Sequence, residues 1–245
     1  MQQTKYEILN VLYVNIEIKR DVNHTIIVPQ CLRLIPQIKS RHFYKMIIDS
    51  KYETPISTFS MQSKYGMTEQ DISKSRKLII QTSIDVKSRE FQFKILNNIL
   101  PLNYKLFKMK LIPSPHCSFG CSQNETVEHI MWTCQVTQEF WSNLTVPLSN
   151  IDLSFLNERS VITGVTETRK NKVLLNKIIL VAKQSIYTNR CNGTLPCIPL
   201  FKTLLSKLYK EELFVAKRQG KLNIHTLYWE SLMNFNFLYS INENN

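Results

Sequence analysis

Residues 117–134 read CSFGCSQNETVEHIMWTC and set three cysteines and one histidine in the pattern Cys-x3-Cys-x7-His-x4-Cys. Cys117, Cys121, His129 and Cys134 are the candidate ligands. Three thiols and one imidazole form the donor set of a tetrahedral structural zinc site. The first pair is spaced to curl around an ion, and Gly120 relieves the tight turn between them. Thr126 can cap a short helix, with Glu128 following in its first turn. His129 and Cys134 lie five apart, a spacing that suits a helix ending between them. Four protein ligands leave no open coordination position, and no fifth group in the stretch reads as a water-activating base. The expectation is one structural Zn²⁺ that holds the fold and performs no chemistry. His116 is a substitute ligand to weigh against Cys117, and the competing reading is a set of scattered structural thiols.

Of the 245 residues, 43% are hydrophobic and 20% charged, enough for one large domain or two modest ones with a buried core. The formal net charge of +12 attracts polyanions, of which nucleic acid is the commonest inside cells. A basic, well-solvated surface is the plainer alternative. An anionic membrane surface is a weaker rival for this charge, and no apolar run reaches the roughly 18 residues of a spanning helix; no membrane partner is expected. Neither a GxGxxG nor a GxxxxGK[ST] phosphate loop is present. The N-terminus lacks a short basic region followed by an apolar core and a small-residue cleavage site. A reduced, intracellular chain, cytoplasmic or nuclear, is therefore expected, with Cys31, Cys191 and Cys197 as plain thiols.

Along the chain, 1–36 is poorly defined and β-prone in places, and 43–48 falls at helical spacing. Phe59 to Met67 reads as loop. Thr68 to Asp71 resembles a capping box, and Asp85 caps a longer helix, VKSREFQFKILNNIL. Its apolar arc comprises Phe91, Phe93, Ile95, Leu96, Ile99 and Leu100. NYKLFKMKL then leads into the metal loop, and an amphipathic helix with Val136, Phe140, Trp141 and Leu144 follows Cys134. Pro147 to Ser160 reads as linker. Two long helices over 168–190 and 198–218 come next, then a short helix near Thr226 to Met233. The organisation is 1–36, a helical segment 37–110, a zinc unit 111–146, a helical region 160–235 and a disordered tail 236–245. The fold class is mainly α, a helical assembly around a small CCHC zinc unit, with a short β-prone N-terminal segment.

The block from Arg89 to Trp141 resembles the zinc-binding region that follows the polymerase in LINE-type non-LTR retrotransposon reverse transcriptases. The resemblance rests on FQFKILNNILPLNYKLFKMKLIPSPHC, the C-SFG-C pair, the ETVEH-IMWT-C segment, and the Phe140-Trp141 pair. Weaker likeness extends over roughly residues 40–232. It implies a mainly helical C-terminal portion of such a protein, with an upstream reverse transcriptase as a partner. Nucleotidyl transfer needs carboxylates holding two metal ions, and this chain has no Asp-Asp dipeptide. The resemblance therefore implies no polymerase or endonuclease activity here.

The leading functional expectation is a non-catalytic module that binds template RNA or other nucleic acid by electrostatics. Candidate contacts are Lys74, Arg76, Lys77, Lys87, Arg89, Lys94, Lys105, Lys108 and Lys110, with Tyr104 placed to stack on an unpaired base. Phe107 and Trp132 could stack as well, although a core role beside the metal is favoured for both. The rival is a protein-interaction or structural adaptor whose C-terminal helices dock on a polymerase or another partner.

Overall fold

The computed structural model describes residues 55–148, 151–154, 156–168 and 171–233. The chain divides near Glu53 into two units, and the described residues all belong to the second. The readings of 1–36, of the helical spacing at 43–48, of Cys31 and of the tail 236–245 lie outside them.

The described residues are mainly helical, and the isolated bridge between His116 and Asn124 is the β pairing recorded among them. In chain order the helices are α1 (Ile56–Tyr65), α2 (Glu69–Thr82), α3 (Val86–Leu96) and α4 (Asn103–Lys108). A single π turn (His129–Thr133) follows. After it come α5 (Gln135–Thr145), α6 (Glu158–Thr163), α7 (Lys172–Cys191), α8 (Ile198–Arg218) and α9 (Leu222–Met233).

Local chemistry sets several of these boundaries. Thr68 Oγ1 accepts from the Asp71 N–H at 3.2 Å and the Asp71 carboxylate accepts from the Thr68 N–H, a complete capping box opening α2. Asp85 accepts from the Ser88 N–H at 2.8 Å and opens α3. That helix ends at Leu96, four residues short of the expected stop, because Asn98 takes a left-handed conformation (φ 50°). Phe93 and Ile99 are exposed rather than part of the apolar arc. Residues two apart on a helix face different sides, so Phe91 and Phe93 cannot share one face. Phe91 is the one that packs inward, 5.5 Å from the Tyr187 ring.

Two further expectations are corrected. The stretch read as loop from Phe59 to Met67 is mostly α1, which starts after Pro55 and closes on left-handed Gly66. Its sequence is polar, and its order comes from Met61 packing with Met67, Ile72 and Leu96. The stretch read as linker from Pro147 to Ser160 buries Leu148 and Ile151 in the main core, and Glu158 opens α6 with Asn157 as its cap.

The core is centred on α7. Thirteen of its residues are buried, and it packs on α2, α3, α8, α9 and the π turn. One apolar cluster joins Ile130, Met131, Phe140 and Trp141 of the metal region to Ile178, Val181 and Ala182 of α7 and Phe201 and Leu205 of α8. A helix buried on most of its sides belongs in an interior, and its polar residues there must find partners. Two lysines share that interior. Lys183 is fully buried and donates to Gln92 Oε1 at 2.5 Å and to the Val161 carbonyl at 2.7 Å. Burial pushes its ammonium down to about 7. Lys177 donates to the Thr82 carbonyl at 3.0 Å and is paired with Glu212 of α8. Glu212 also accepts from Trp229 Nε1 at 3.0 Å, which ties α7, α8 and α9 at one point.

Candidate metal centre

The ligand atoms of Cys117, Cys121, His129 and Cys134 all lie within 4.8 Å of one another. The Cys117 and Cys134 sulfurs are 3.9 Å apart, and Cys121 Sγ is 3.0 Å from His129 Nε2. Zinc–sulfur bonds of about 2.3 Å put tetrahedral sulfurs roughly 3.8 Å apart, so this set fits one zinc ion. His116 stands outside the cluster, exposed and bridged through its backbone to Asn124.

Each ligand is delivered by a specific local structure. A turn closed by the Gly120 N–H on the Cys117 carbonyl (3.1 Å) brings the first two thiols to one side, with Gly120 at φ 87°. The Phe119 N–H donates to Cys117 Sγ at 3.4 Å. Thr126 Oγ1 accepts from the His129 N–H at 3.2 Å and starts the second segment. That segment then widens into the π turn, closed by the Cys134 N–H on the His129 carbonyl at 2.8 Å. The i to i+5 closure is what a four-residue gap between His129 and Cys134 needs, since it brings those two positions back to one side.

A π turn leaves carbonyls without their usual helical donors. Side chains of α5 supply them. Thr137 Oγ1 donates to the Ile130 carbonyl (2.9 Å), Trp141 Nε1 to that of Met131 (2.9 Å), and Gln138 Nε2 to that of Trp132 (2.6 Å). The Phe140-Trp141 pair thus supports the metal segment through both packing and a hydrogen bond. Thr133 Oγ1 lies 3.3 Å from His129 Nδ1, the ring nitrogen turned away from the thiols. It supplies the outer partner that orients a metal-binding imidazole.

The electrostatics favour a thiolate. A hydrogen bond from Cys117 pulls the Cys134 thiol down to about 5, against the opposing effect of burial. The backbone N–H groups of Val136 and Thr137, at the start of α5, act in the same direction. The hydrogen bond to Cys134, then burial, pushes the Cys117 thiol up. Zinc binding deprotonates both, because the ligand form of cysteine is the thiolate.

A family model described as zinc-binding in reverse transcriptase matches residues 59–141. The matched span runs from α1 into α5 and holds all four ligands. Over that span the chain is similar to the zinc-binding region of reverse transcriptases. No curated protein matches it.

The basic candidates are scattered and differently engaged. Arg76 donates to Thr58 Oγ1 at 2.7 Å, and Arg89 Nε to the Ser83 carbonyl at 2.6 Å, so both brace helix ends. Lys74 lies 3.9 Å from Asp71, Lys94 pairs with Glu90 at 2.7 Å, and Lys105 donates to the Asn98 carbonyl at 3.0 Å. Lys108 sits over the half-buried Tyr104 ring at 4.5 Å. Lys77, Lys87 and Lys110 are exposed and form no ion pair among the described residues. Phe107 is 42% exposed, against the expected core role, because the short α4 turns that side outward. Trp132 is partly buried, packs on the core and lies 6.2 Å from Trp141.

Of two further residues at this centre, Glu125 shows in the sequence only as the first letter of the ETVEH segment, and Arg190 has no local signal. Glu125 is fully buried, and Arg190 of α7 pairs with it at 2.7 Å. Burial pushes the Glu125 carboxyl up, but hydrogen bonds from Ser118, Asn103 and Arg190 outweigh it and hold the group below its usual range.

Proposed function

We propose that this chain is a non-catalytic C-terminal portion of a LINE-type non-LTR retrotransposon reverse transcriptase. One structural zinc holds a helical module that binds template RNA or other nucleic acid, acting inside the cell in the cytoplasm or nucleus. The observation that carries the reading is the coincidence of the four-ligand cluster with the reverse-transcriptase zinc-binding match. The net charge of +12 supports the choice of ligand.

With four protein ligands, bound zinc supplies structure and has no open position for substrate. Binding then falls to the basic surface. From the last residue of α4 the chain alternates Lys108, Met109, Lys110 and Leu111, all exposed, beside exposed Phe107. Cations there can meet phosphates while Phe107 and Tyr104 offer faces to unpaired bases. Polymerisation itself belongs to an upstream reverse transcriptase that this module would accompany.

The test is RNA binding by the purified chain across a salt series, with zinc content measured on the same sample. A module making about five phosphate contacts loses roughly a hundredfold in affinity between 50 and 200 mM salt. The double substitution Lys108→Glu and Lys110→Glu should flatten the log–log slope by about 1–2. A salt-independent affinity would sink the electrostatic reading.

A second reading, an adaptor docking on a polymerase or other protein, is favoured by one feature. Phe214, Leu222, Ile224, Leu227 and Tyr228 of α8 and α9 are exposed. An RNA-binding monomer that leaves this face free would weaken it.

A further inference from the structure

We propose that Arg190 is a positioning residue of the zinc site, acting from the far end of α7 through the buried carboxylate of Glu125. The inference rests on reading the Cys117, Cys121, His129 and Cys134 cluster as a zinc site.

Glu125 lies four residues before His129, fully buried, with both oxygens engaged. Oε2 accepts from the Ser118 N–H at 2.7 Å, and Ser118 directly follows the ligand Cys117. Oε1 accepts from the Asn103 N–H at 3.0 Å, at the start of α4. It also accepts from Arg190 Nε at 3.0 Å and Nη2 at 2.7 Å. Arg190 Nη2 reaches Asn103 Oδ1 as well, at 2.8 Å. Asn103 Nδ2 closes the ring by donating to the His116 carbonyl at 2.8 Å and to Ser118 Oγ at 3.1 Å. One carboxylate thus pins the loop carrying Cys117 to two other elements.

The charge balance makes Arg190 necessary to this arrangement. A carboxylate removed from water is stable only when it is paired and its lone pairs are filled. The two backbone donors orient Glu125, and Arg190 supplies the compensating charge. Its side chain is 12% exposed, so solvent cannot replace it. Without Arg190, Glu125 would turn toward water or take up a proton. Either change releases Ser118 and lets the Cys117 loop open.

Outer partners of metal ligands typically set affinity by about 10–100-fold. Coupling between two sites is reciprocal, so zinc should in turn hold the end of α7.

The experiment follows zinc transfer from the intact chain to a chromophoric chelator, in the wild type and in Arg190→Met, Arg190→Lys, Glu125→Gln and the double variant Glu125→Gln/Arg190→Met. Zinc content is measured first. The expected result is release accelerated about 10–100-fold in Arg190→Met. Glu125→Gln should match it, and the double variant should be no faster than either single one. Arg190→Lys should recover part of the effect, since it restores charge without the two-nitrogen grip. In the wild type, stripping zinc should raise amide exchange at residues 188–192. Ile178→Ala, a core truncation on the same helix, is the control for simple loss of stability.

Wild-type release from Arg190→Met would overturn the proposal. So would multiplying effects in the double variant, or equal acceleration in Ile178→Ala. A wild-type chain that takes up no zinc would overturn both this inference and the metal reading beneath it. One equivalent of zinc with Arg190→Met unchanged would overturn the inference alone.

Discussion

Substituting His129→Ala should empty the metal site and abolish native exchange protection across residues 115–145. The apparent binding free energy of a structural zinc reaches roughly 10–16 kcal/mol in small sites. That rivals the whole stability of a domain, about 5–15 kcal/mol. His129 closes the four-ligand set, and without it Cys121 loses a neighbour at 3.0 Å. The π turn should fail with the ion, because a π closure is rare away from a functional constraint and the metal is the constraint here. The loss also spreads. Ile130, Met131 and Trp141 belong to the same apolar cluster as Ile178 and Phe201, so loosening the metal segment exposes one side of α7. We expect α7 and α8 to stay helical with a melting temperature lower by more than about 10 °C. Hydrogen exchange followed by mass spectrometry, before and after zinc removal, checks both points. Native protection over 115–145 in the metal-free chain would contradict them.

The second large effect is expected at Glu212. Its carboxylate faces the Lys177 ammonium and accepts from Trp229 Nε1, with both charged side chains nearly sealed from solvent. Glu212→Gln would keep the volume and leave the Lys177 charge uncompensated. Breaking a buried pair in this way costs about 3–5 kcal/mol. In a protein of this size that is a melting-temperature loss of about 6–20 °C. The double variant Lys177→Met/Glu212→Leu should recover most of it, since removing both charges removes the desolvation penalty as well. Thermal unfolding of the zinc-loaded chains decides the matter. A single variant within about 1 kcal/mol of wild type, or a double variant worse than the single, would contradict the account.

The legible parts of this chain are those whose cause is local. The four ligands show themselves because residue type and spacing lie within 18 consecutive positions. Thr68 and Asp85 mark helix starts because a cap acts within three residues. The long helices over 172–191 and 198–218 show as apolar runs bounded by Asn-Gly and proline.

What the sequence hides depends on partners far along the chain. The polar stretch of α1 becomes a helix because Met61 finds Met67, Ile72 and Leu96. Lys183 meets Gln92 across 91 positions, and Arg190 meets Glu125 across 65. Neither spacing leaves a periodic trace, so Arg190 reads as one more basic residue near a turn. The π turn is a different case. Its trace was the five-residue step from His129 to Cys134, and the donors that complete it lie just beyond, on Thr137, Gln138 and Trp141.

The most direct measurement is the metal content of the purified chain by mass spectrometry under native conditions, for the wild type and Cys121→Ser. The account predicts one zinc per chain in the wild type and loss of that stoichiometric zinc in the variant. A folded wild-type chain that holds no zinc, or a Cys121→Ser chain that keeps a full equivalent as tightly, would contradict the claim that these four residues form a zinc site.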